Sequence, residues 1–258
     1  MIAGQKVVVV MPAYNAARTI EKTCRDVLGH DIVDLAIVVD DASPDATASL
    51  ARQFRNVLVH IHPRNRGYGA NQKTCYRLAL ENGADIVIMV HPDYQYTPKL
   101  IPAMASMVAS GLYSCVLGSR ILGGHALKGG MPLWRYVANR GLTFAGNLLL
   151  GTKVSEFHTG YRAFSRELLL RLPLDANSDD FVFDNEVLAQ TVWLGYSIGE
   201  VSCPTSYGAE ASSINFRRSV RYGFGCLAMA AVFRLSKWNL ARSRRLPVIS
   251  PRPHEAAR

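Results

Sequence analysis

The first half of the chain alternates short β-branched and aliphatic runs with segments of helical period, a pattern that commits it to parallel strands joined by crossover helices. Five runs read as strands, at residues 6–11, 35–40, 57–62, 86–91 and 115–119. Helices are expected over 17–28, 45–55, 70–82 and 98–109, with Asp45 and Thr47 offering capping oxygens to the second. The implied architecture is α/β, an open doubly wound sheet. Ligands of such sheets bind beyond the carboxyl ends of the strands. The polar residues that follow the strands are therefore the ones to interrogate: 12–15, 40–45, 64–69 and 92–95. Beyond residue 118 the pattern changes to a loop with Gly123, Gly124, Gly129 and Gly130, followed by a helix at about 134–150.

Bulk properties limit what is added to this sheet. A chain of 258 residues, 49% hydrophobic and 19% charged, fits one α/β domain plus an appendage. The formal charge of +9 favours anionic partners, namely phosphates, nucleic acid or a membrane surface, without choosing among them. Dispersed basic residues and the lack of a recognition motif argue against nucleic acid. Cys24, Cys75, Cys115, Cys203 and Cys226 form no CxxC pair and are odd in number, so neither a zinc site nor a disulfide framework is indicated, and a reducing cytoplasm is expected. The N-terminal apolar run is a strand and not a signal peptide. No window approaches the ~20 apolar residues of a membrane-spanning helix; the nearest, 222–235, is shorter and carries Arg234.

The chemistry concentrates at the strand ends. MPAYN and VVDDASPDAT bring an aromatic ring, an amide and two adjacent carboxylates to neighbouring strands, which suits a nucleoside. Asp40 or Asp41 would accept from base or ribose donors, and Tyr14 would pack on the base. Helix capping is the competing role; it is preferred for Asp45, while two adjacent like charges favour a ligand for Asp40 and Asp41. No Gly-x-Gly-x-x-Gly follows the first strand, against a dinucleotide fold. After the fourth strand, His91-Pro92-Asp93-Tyr94-Gln95 sets an acid and an amide two residues apart. This is a partial oxygen shell of the kind Mg²⁺ or Mn²⁺ takes together with substrate phosphates. His91 is open to two roles, a nitrogen ligand to the metal or a hydrogen-bonding neighbour. Asn71 and Lys73 open a helix whose N-terminus would favour phosphate, unless they lie on a solvated face.

VVVVMPAYNAARTI, VVDDASPDAT, NRGYGANQKTCY, HPDYQYTP, LGSR, SEFHTGYRAF and FVFDNEVLAQTVWLGYSIGEVSCPTSY, in this order, resemble the family 2 glycosyltransferases. Within them they are similar to dolichol-phosphate mannose synthases and bacterial polyprenyl-phosphate relatives. The resemblance implies a glycosyltransferase A-type fold with a C-terminal helical appendage. A catalytic domain is expected at 1–212, an amphipathic interface region at 213–240 from its mixed basic and apolar residues, and a basic, disordered tail at 241–258 from its arginines, prolines and lack of apolar period. By that likeness Pro12, Ala13, Tyr14, Asn15, Asp40, Asp41, Asn71 and Lys73 hold the nucleotide of a UDP- or GDP-sugar. Asp93 and Gln95 hold Mg²⁺ or Mn²⁺ on the diphosphate. The family's usual motif there is Asp-x-Asp-x-Gln, and His91 stands in place of the first aspartate.

Arg120, Arg135, Asn139 and Arg162 match the acceptor side, where guanidinium groups grip phosphate bidentately. The implied reaction is inverting transfer to a polyprenyl or dolichyl phosphate, which needs no strong base. A saccharide or small-molecule hydroxyl acceptor would need one, and Asp184 or Glu186 is the candidate. Binding of a nucleotide sugar without turnover is the third reading, motivated by His91. The basic and apolar segment from residue 215 onward suits an enzyme lying peripherally on the inner membrane face, or a helix packed on the domain or on a second subunit of a homo-oligomer.

Overall fold

Val7, Val8, Val9, Val10 and Met11 are all fully buried, because the strand that holds them lies at the centre of a sheet covered on both faces. Alternate side chains enter opposite layers: Val8 and Val10 join one core cluster, Val7, Val9 and Met11 the other. Each such side chain contributes about 1.5–3 kcal/mol of burial. The computed structural model describes residues 1–124, 126–205 and 216–247. Its strands are β1 (Val7–Ala13), β2 (Val33–Asp40), β3 (Val57–Ile61), β4 (Ile86–Met89), β5 (Cys115–Ser119), β6 (Arg162–Ser165) and β7 (Ile198–Ser202), in the order β3-β2-β1-β4-β6-β5-β7.

The helices are α1 (Ile20–Leu28), α2 (Thr47–Ala51), α3 (Tyr68–Glu81), α4 (Ile101–Ala109), α5 (Leu133–Leu150), α6 (Arg166–Arg171), α7 (Phe183–Trp193) and α8 (Phe216–Lys237). Helices α1 and α4 cover one face of the sheet through Ile20, Cys24, Met104 and Ala105. Helices α3, α7 and α8 cover the other through Cys75, Tyr76, Val187, Met229 and Phe233. The five anticipated strands are present and the sheet is mostly parallel. However, β6 runs antiparallel between β4 and β5, so the fourth and fifth strands are not neighbours. Helix α2 is shorter than its helical period suggested, although Asp45 does accept from the Thr47 amide at 3.0 Å. All five cysteines are free and buried.

Two segments outside the sheet frame the site. Helix α8 buries Cys226, Met229, Ala230 and Phe233 on the domain. Gly225 permits the close approach, since a Cβ there would come 2.5 Å from Val182 Cγ2. Its opposite face exposes Val220, Phe224, Leu227 and Leu235, with Trp238 exposed just beyond its end, and the neighbouring α5 exposes Val137, Phe144 and Leu148. Among the described residues no helix is long and apolar enough to cross a membrane. The tail expected to be disordered from residue 241 is instead packed as far as 247. Leu246 is buried, Trp193 Nε1 donates to the Pro247 carbonyl at 2.8 Å, and Arg245 pairs with Glu186 at 3.1 Å. Backbone carbonyls and one ion pair anchor it, so no apolar period announces it. Residues 213–215 and 248–258 lie outside the described residues.

Candidate active site

A cavity of about 880 Å³ opens beyond the carboxyl ends of β1, β2 and β4 and is closed on the far side by α5 and α8. From β1 come Pro12, Tyr14 and Asn15; Tyr14 is 53% exposed, a ring free to take a flat partner. Asn15 sits at φ 53° with its amide bonded to Ser43 Oγ at 2.9 Å, which turns the chain out of the sheet. Ala13 contributes its carbonyl, which accepts from the Asp41 amide and holds the two strand ends together. Asn71 ties the same ends to α3, donating to the Val39 carbonyl at 3.0 Å and to that of Ala13 at 3.5 Å.

The two adjacent aspartates separate in role. Asp41 lines the cavity and accepts from the amides of Arg66 and Gly67, both at 2.9 Å, and from His62 Nδ1 at 2.7 Å. It therefore shapes the loop that leads into α3. Asp40, expected to bind nucleoside, is turned into its own corner, where both oxygens accept from Ser43, and it does not line the cavity. Alternation along the strand end explains the split. Lys73, expected to bind the donor, also points elsewhere. Its Nζ donates to the Asn177 carbonyl at 2.6 Å and to Asp179 at 2.8 Å, which straps α3 to the segment before α7.

After β4, Tyr94 adopts φ 57°, and this left-handed residue sets both Asp93 and Gln95 on the cavity while the Tyr94 hydroxyl reaches Asp26. Asp93 accepts from the Gln95 amide at 3.0 Å, closing the turn. His91 lines the cavity beside them, with Nε2 at 3.0 Å from the Tyr68 hydroxyl. Tyr68 donates onward to Asp184 Oδ2 at 2.9 Å. Burial, reinforced by the Asp184 charge, pushes the phenol well above its ordinary value, so it stays protonated. Among the described residues no three His, Cys, Asp or Glu side chains cluster closely enough to hold a metal alone. Asp93 and Gln95 thus fit an ion that completes its shell from a bound phosphate.

On the far side, Arg120, Arg135 and Asn139, matched to the acceptor side by the resemblance, line the cavity together with Trp134, Arg218 and Tyr222, which were given no site role from the sequence. Arg120 and Asn139 converge on Glu156, which is wholly buried. Its carboxylate accepts from the Arg120 amide and Nε at 2.8 Å each, from Nη2, and from Asn139 Nδ2 at 2.7 Å. Burial alone would raise the Glu156 pKa, but the Arg120 charge and these donors bring it below the ordinary value. Arg162, expected at the acceptor, is fully buried and does not line the cavity. Its guanidinium donates to the carbonyls of Thr159, Asp184 and Phe157 and stands 3.8 Å from the Asp184 carboxylate. It organises the loop instead.

Asp184 lines the cavity, whereas Glu186 accepts from the Ser178 amide and Arg245 away from it. His158 also lines the cavity, with Nδ1 at 2.7 Å from the Tyr222 hydroxyl of α8, and burial pushes its pKa down to about 4. Tyr68 lies within the NRGYGANQKTCY segment at the start of α3 but was given no role of its own, while Trp134 near the start of α5 and Tyr222 within α8 carried no motif signal.

The model of the Glycosyl transferase family 2 family matches residues 8–172. A UDP-N-acetylglucosamine–dolichyl-phosphate N-acetylglucosaminyltransferase of Methanococcus voltae is 29% identical over 80% of this chain and 88% of its own length. An undecaprenyl-phosphate mannosyltransferase of Micrococcus luteus is 30% identical over 76% of this chain and 82% of its own. Among solved structures, glucosyl-3-phosphoglycerate synthase from Mycobacterium tuberculosis in complex with UDP superimposes with a TM-score of 0.69 at 22% identity, covering 93% of this chain and 83% of that one. The same synthase with Mn²⁺, UDP and glucosyl-3-phosphoglycerate gives 0.65 at 20%, covering 93% and 82%. These structural likenesses share the fold.

Proposed function

The chain belongs to glycosyl transferase family 2, and from that membership we propose that it transfers a sugar, with inversion, from a UDP- or GDP-sugar to a polyprenyl or dolichyl phosphate. The carrying observation is the cavity itself, with the β1, β2 and β4 strand ends at one side and Arg120, Arg135 and Arg218 at the other. The names of the relatives from Methanococcus voltae and Micrococcus luteus support the lipid phosphate. So do the exposed apolar stripes of α5 and α8, the two helices that frame the acceptor side, with Phe144 72% and Phe224 71% exposed. A stripe of this kind beside arginines suits peripheral contact with an anionic bilayer.

In this reading Tyr14 packs on the base, Asp41 accepts from the nucleoside, and Asn15 and Asn71 keep the strand ends in register. Asp93 and Gln95 hold Mg²⁺ or Mn²⁺ on the donor diphosphate, which supplies positive charge where the leaving group gains negative charge. The bound Mn²⁺ of the mycobacterial synthase supports that assignment. Arginines at the far side hold the acceptor phosphate in line, and an ionised phosphate oxygen attacks without a strong base. Lining of the same cavity by Asp184 favours a second reading, transfer to a hydroxyl with Asp184 as base.

The test is to incubate purified protein with labelled UDP- and GDP-sugars, undecaprenyl phosphate or 3-phosphoglycerate, and Mn²⁺, Mg²⁺ or chelator. Label moving into an organic-extractable product, abolished by chelator and by Asp93→Ala, is the expected result. Label moving only to a hydroxyl acceptor, and lost in Asp184→Asn, would replace the first reading with the second.

A further inference from the structure

The Tyr68 hydroxyl carries one proton and stands between two polar atoms, Asp184 Oδ2 at 2.9 Å and His91 Nε2 at 3.0 Å. Asp184 is held as an acceptor. Gln72 Nε2 donates to its other oxygen at 2.9 Å, and the Arg162 guanidinium faces it at 3.8 Å. Reversing the Gln72 amide would set its oxygen 2.9 Å from the Asp184 carboxylate oxygen, so Nε2 faces Asp184 and the amide oxygen accepts from the Tyr76 hydroxyl at 2.8 Å. The Tyr68 proton therefore points to Asp184, and Tyr68 can only accept from His91. Nε2 must carry the imidazole proton, which leaves the lone pair of the neutral ring on Nδ1.

The ring is also fixed in place. It stacks on Tyr68 at 5.5 Å and 7° and lies 6.0 Å from Tyr96. Its Nε2 edge rests on the backbone of Gly160, where a Cβ would come within 2.2 Å of Nε2 and 2.6 Å of Cδ2. No hydrogen bond from a described residue reaches Nδ1. An imidazole whose N–H is anchored through a chain to a carboxylate, whose other nitrogen meets no hydrogen-bond partner among the described residues, and whose ring lines the same cavity as Asp93 and Gln95, has the arrangement of a metal-ligating histidine.

We propose that His91 Nδ1 is a third protein ligand to the divalent cation held by Asp93 and Gln95, with Asp184, Tyr68 and Gly160 as positioning residues that fix its tautomer and plane. This rests on the metal reading above and deepens it. A nitrogen in the place of a carboxylate makes the site less suited to Mg²⁺, which demands oxygen ligands, and more suited to Mn²⁺.

The decisive measurement is pulsed electron paramagnetic resonance on the intact protein with Mn²⁺ and UDP, using isotope-labelled histidine, alongside Mn²⁺ and Mg²⁺ binding isotherms. Histidine nitrogen coupling to Mn²⁺ is expected in the wild type and its loss in His91→Asp, which should also move preference towards Mg²⁺. Tyr68→Phe keeps the ring and removes only the hydroxyl; Mn²⁺ affinity should fall about tenfold while binding of UDP without metal is retained. Mn²⁺ that binds with UDP but shows no nitrogen coupling overturns this inference and leaves the metal reading intact. Failure of Mn²⁺ to bind the wild type at all overturns both.

Discussion

Replacing Glu156 by glutamine should loosen the α5 side of the cavity more than any comparable change at the strand ends. Glu156 is fully buried and the Arg120 side chain is 11% exposed, so the pair has little solvent to fall back on. The carboxylate accepts four hydrogen bonds, three of them from Arg120. Glutamine keeps the shape and one acceptor, but it removes the negative charge and turns a second donor towards the Arg120 N–H groups. Breaking a buried ion pair by neutralising one partner costs about 3–5 kcal/mol. Retention of the Asn139 bond argues for the lower end, about 3 kcal/mol. With a slope of about 3 kcal/mol per molar urea, the unfolding midpoint should fall by about 1 M. Adding Arg120→Gln should cost far less than it does alone, because the orphaned cation is then gone. A midpoint that moves by less than about 0.2 M, or two strictly additive substitutions, would refute the argument that this cluster holds α5 to the loop after β5.

Two further outcomes separate residues that look alike in sequence. Asp41→Asn should weaken UDP or GDP binding by about tenfold or more, because the Arg66–Gly67 loop loses its charged acceptor. Lys73→Met should leave that binding unchanged and cost only about 0.5 kcal/mol, since its partner Asp179 is exposed; calorimetry and urea titration on both variants check this. His158 gives a pH signature. Its folded pKa of about 4 lies below the ordinary 6.5, so the unfolded chain binds the extra proton first and stability falls as pH drops from 6.5 towards 4. The loss amounts to up to about 3 kcal/mol, and urea midpoints of His158→Gln across that window should lack this component.

Much of the site was legible because of a property of open α/β sheets: whatever follows the strands meets at one edge. Pro12, Tyr14, Asn15, Asp41, Asp93 and Gln95 were found by that rule, and all six line the cavity. Asp40 was chosen because it forms an adjacent like-charged pair with Asp41, and Lys73 because it lies near a helix N-terminus, yet neither lines the cavity. One step along a strand end or two along a helix is enough to reverse a side chain, and neither shift changes composition. Arg162 misled for a different reason. It was placed at the acceptor by the SEFHTGYRAF resemblance, and only the three surrounding carbonyls identify it as a buried brace.

The sequence by itself determined the layered sheet, since five apolar runs separated by helical segments have few ways to bury both faces, and it determined which edge carries the chemistry. Tertiary structure alone decided the insertion of β6, the anchoring of residues 241–247 and the closure of the cavity by α5 and α8. It also decided the chain from Asp184 through Tyr68 to His91, whose members are 116 and 23 positions apart. Periodicity reports how a residue sits on its own element, over a handful of neighbours. The partner of a buried polar atom is set by which elements come to rest against each other, and no local pattern records that.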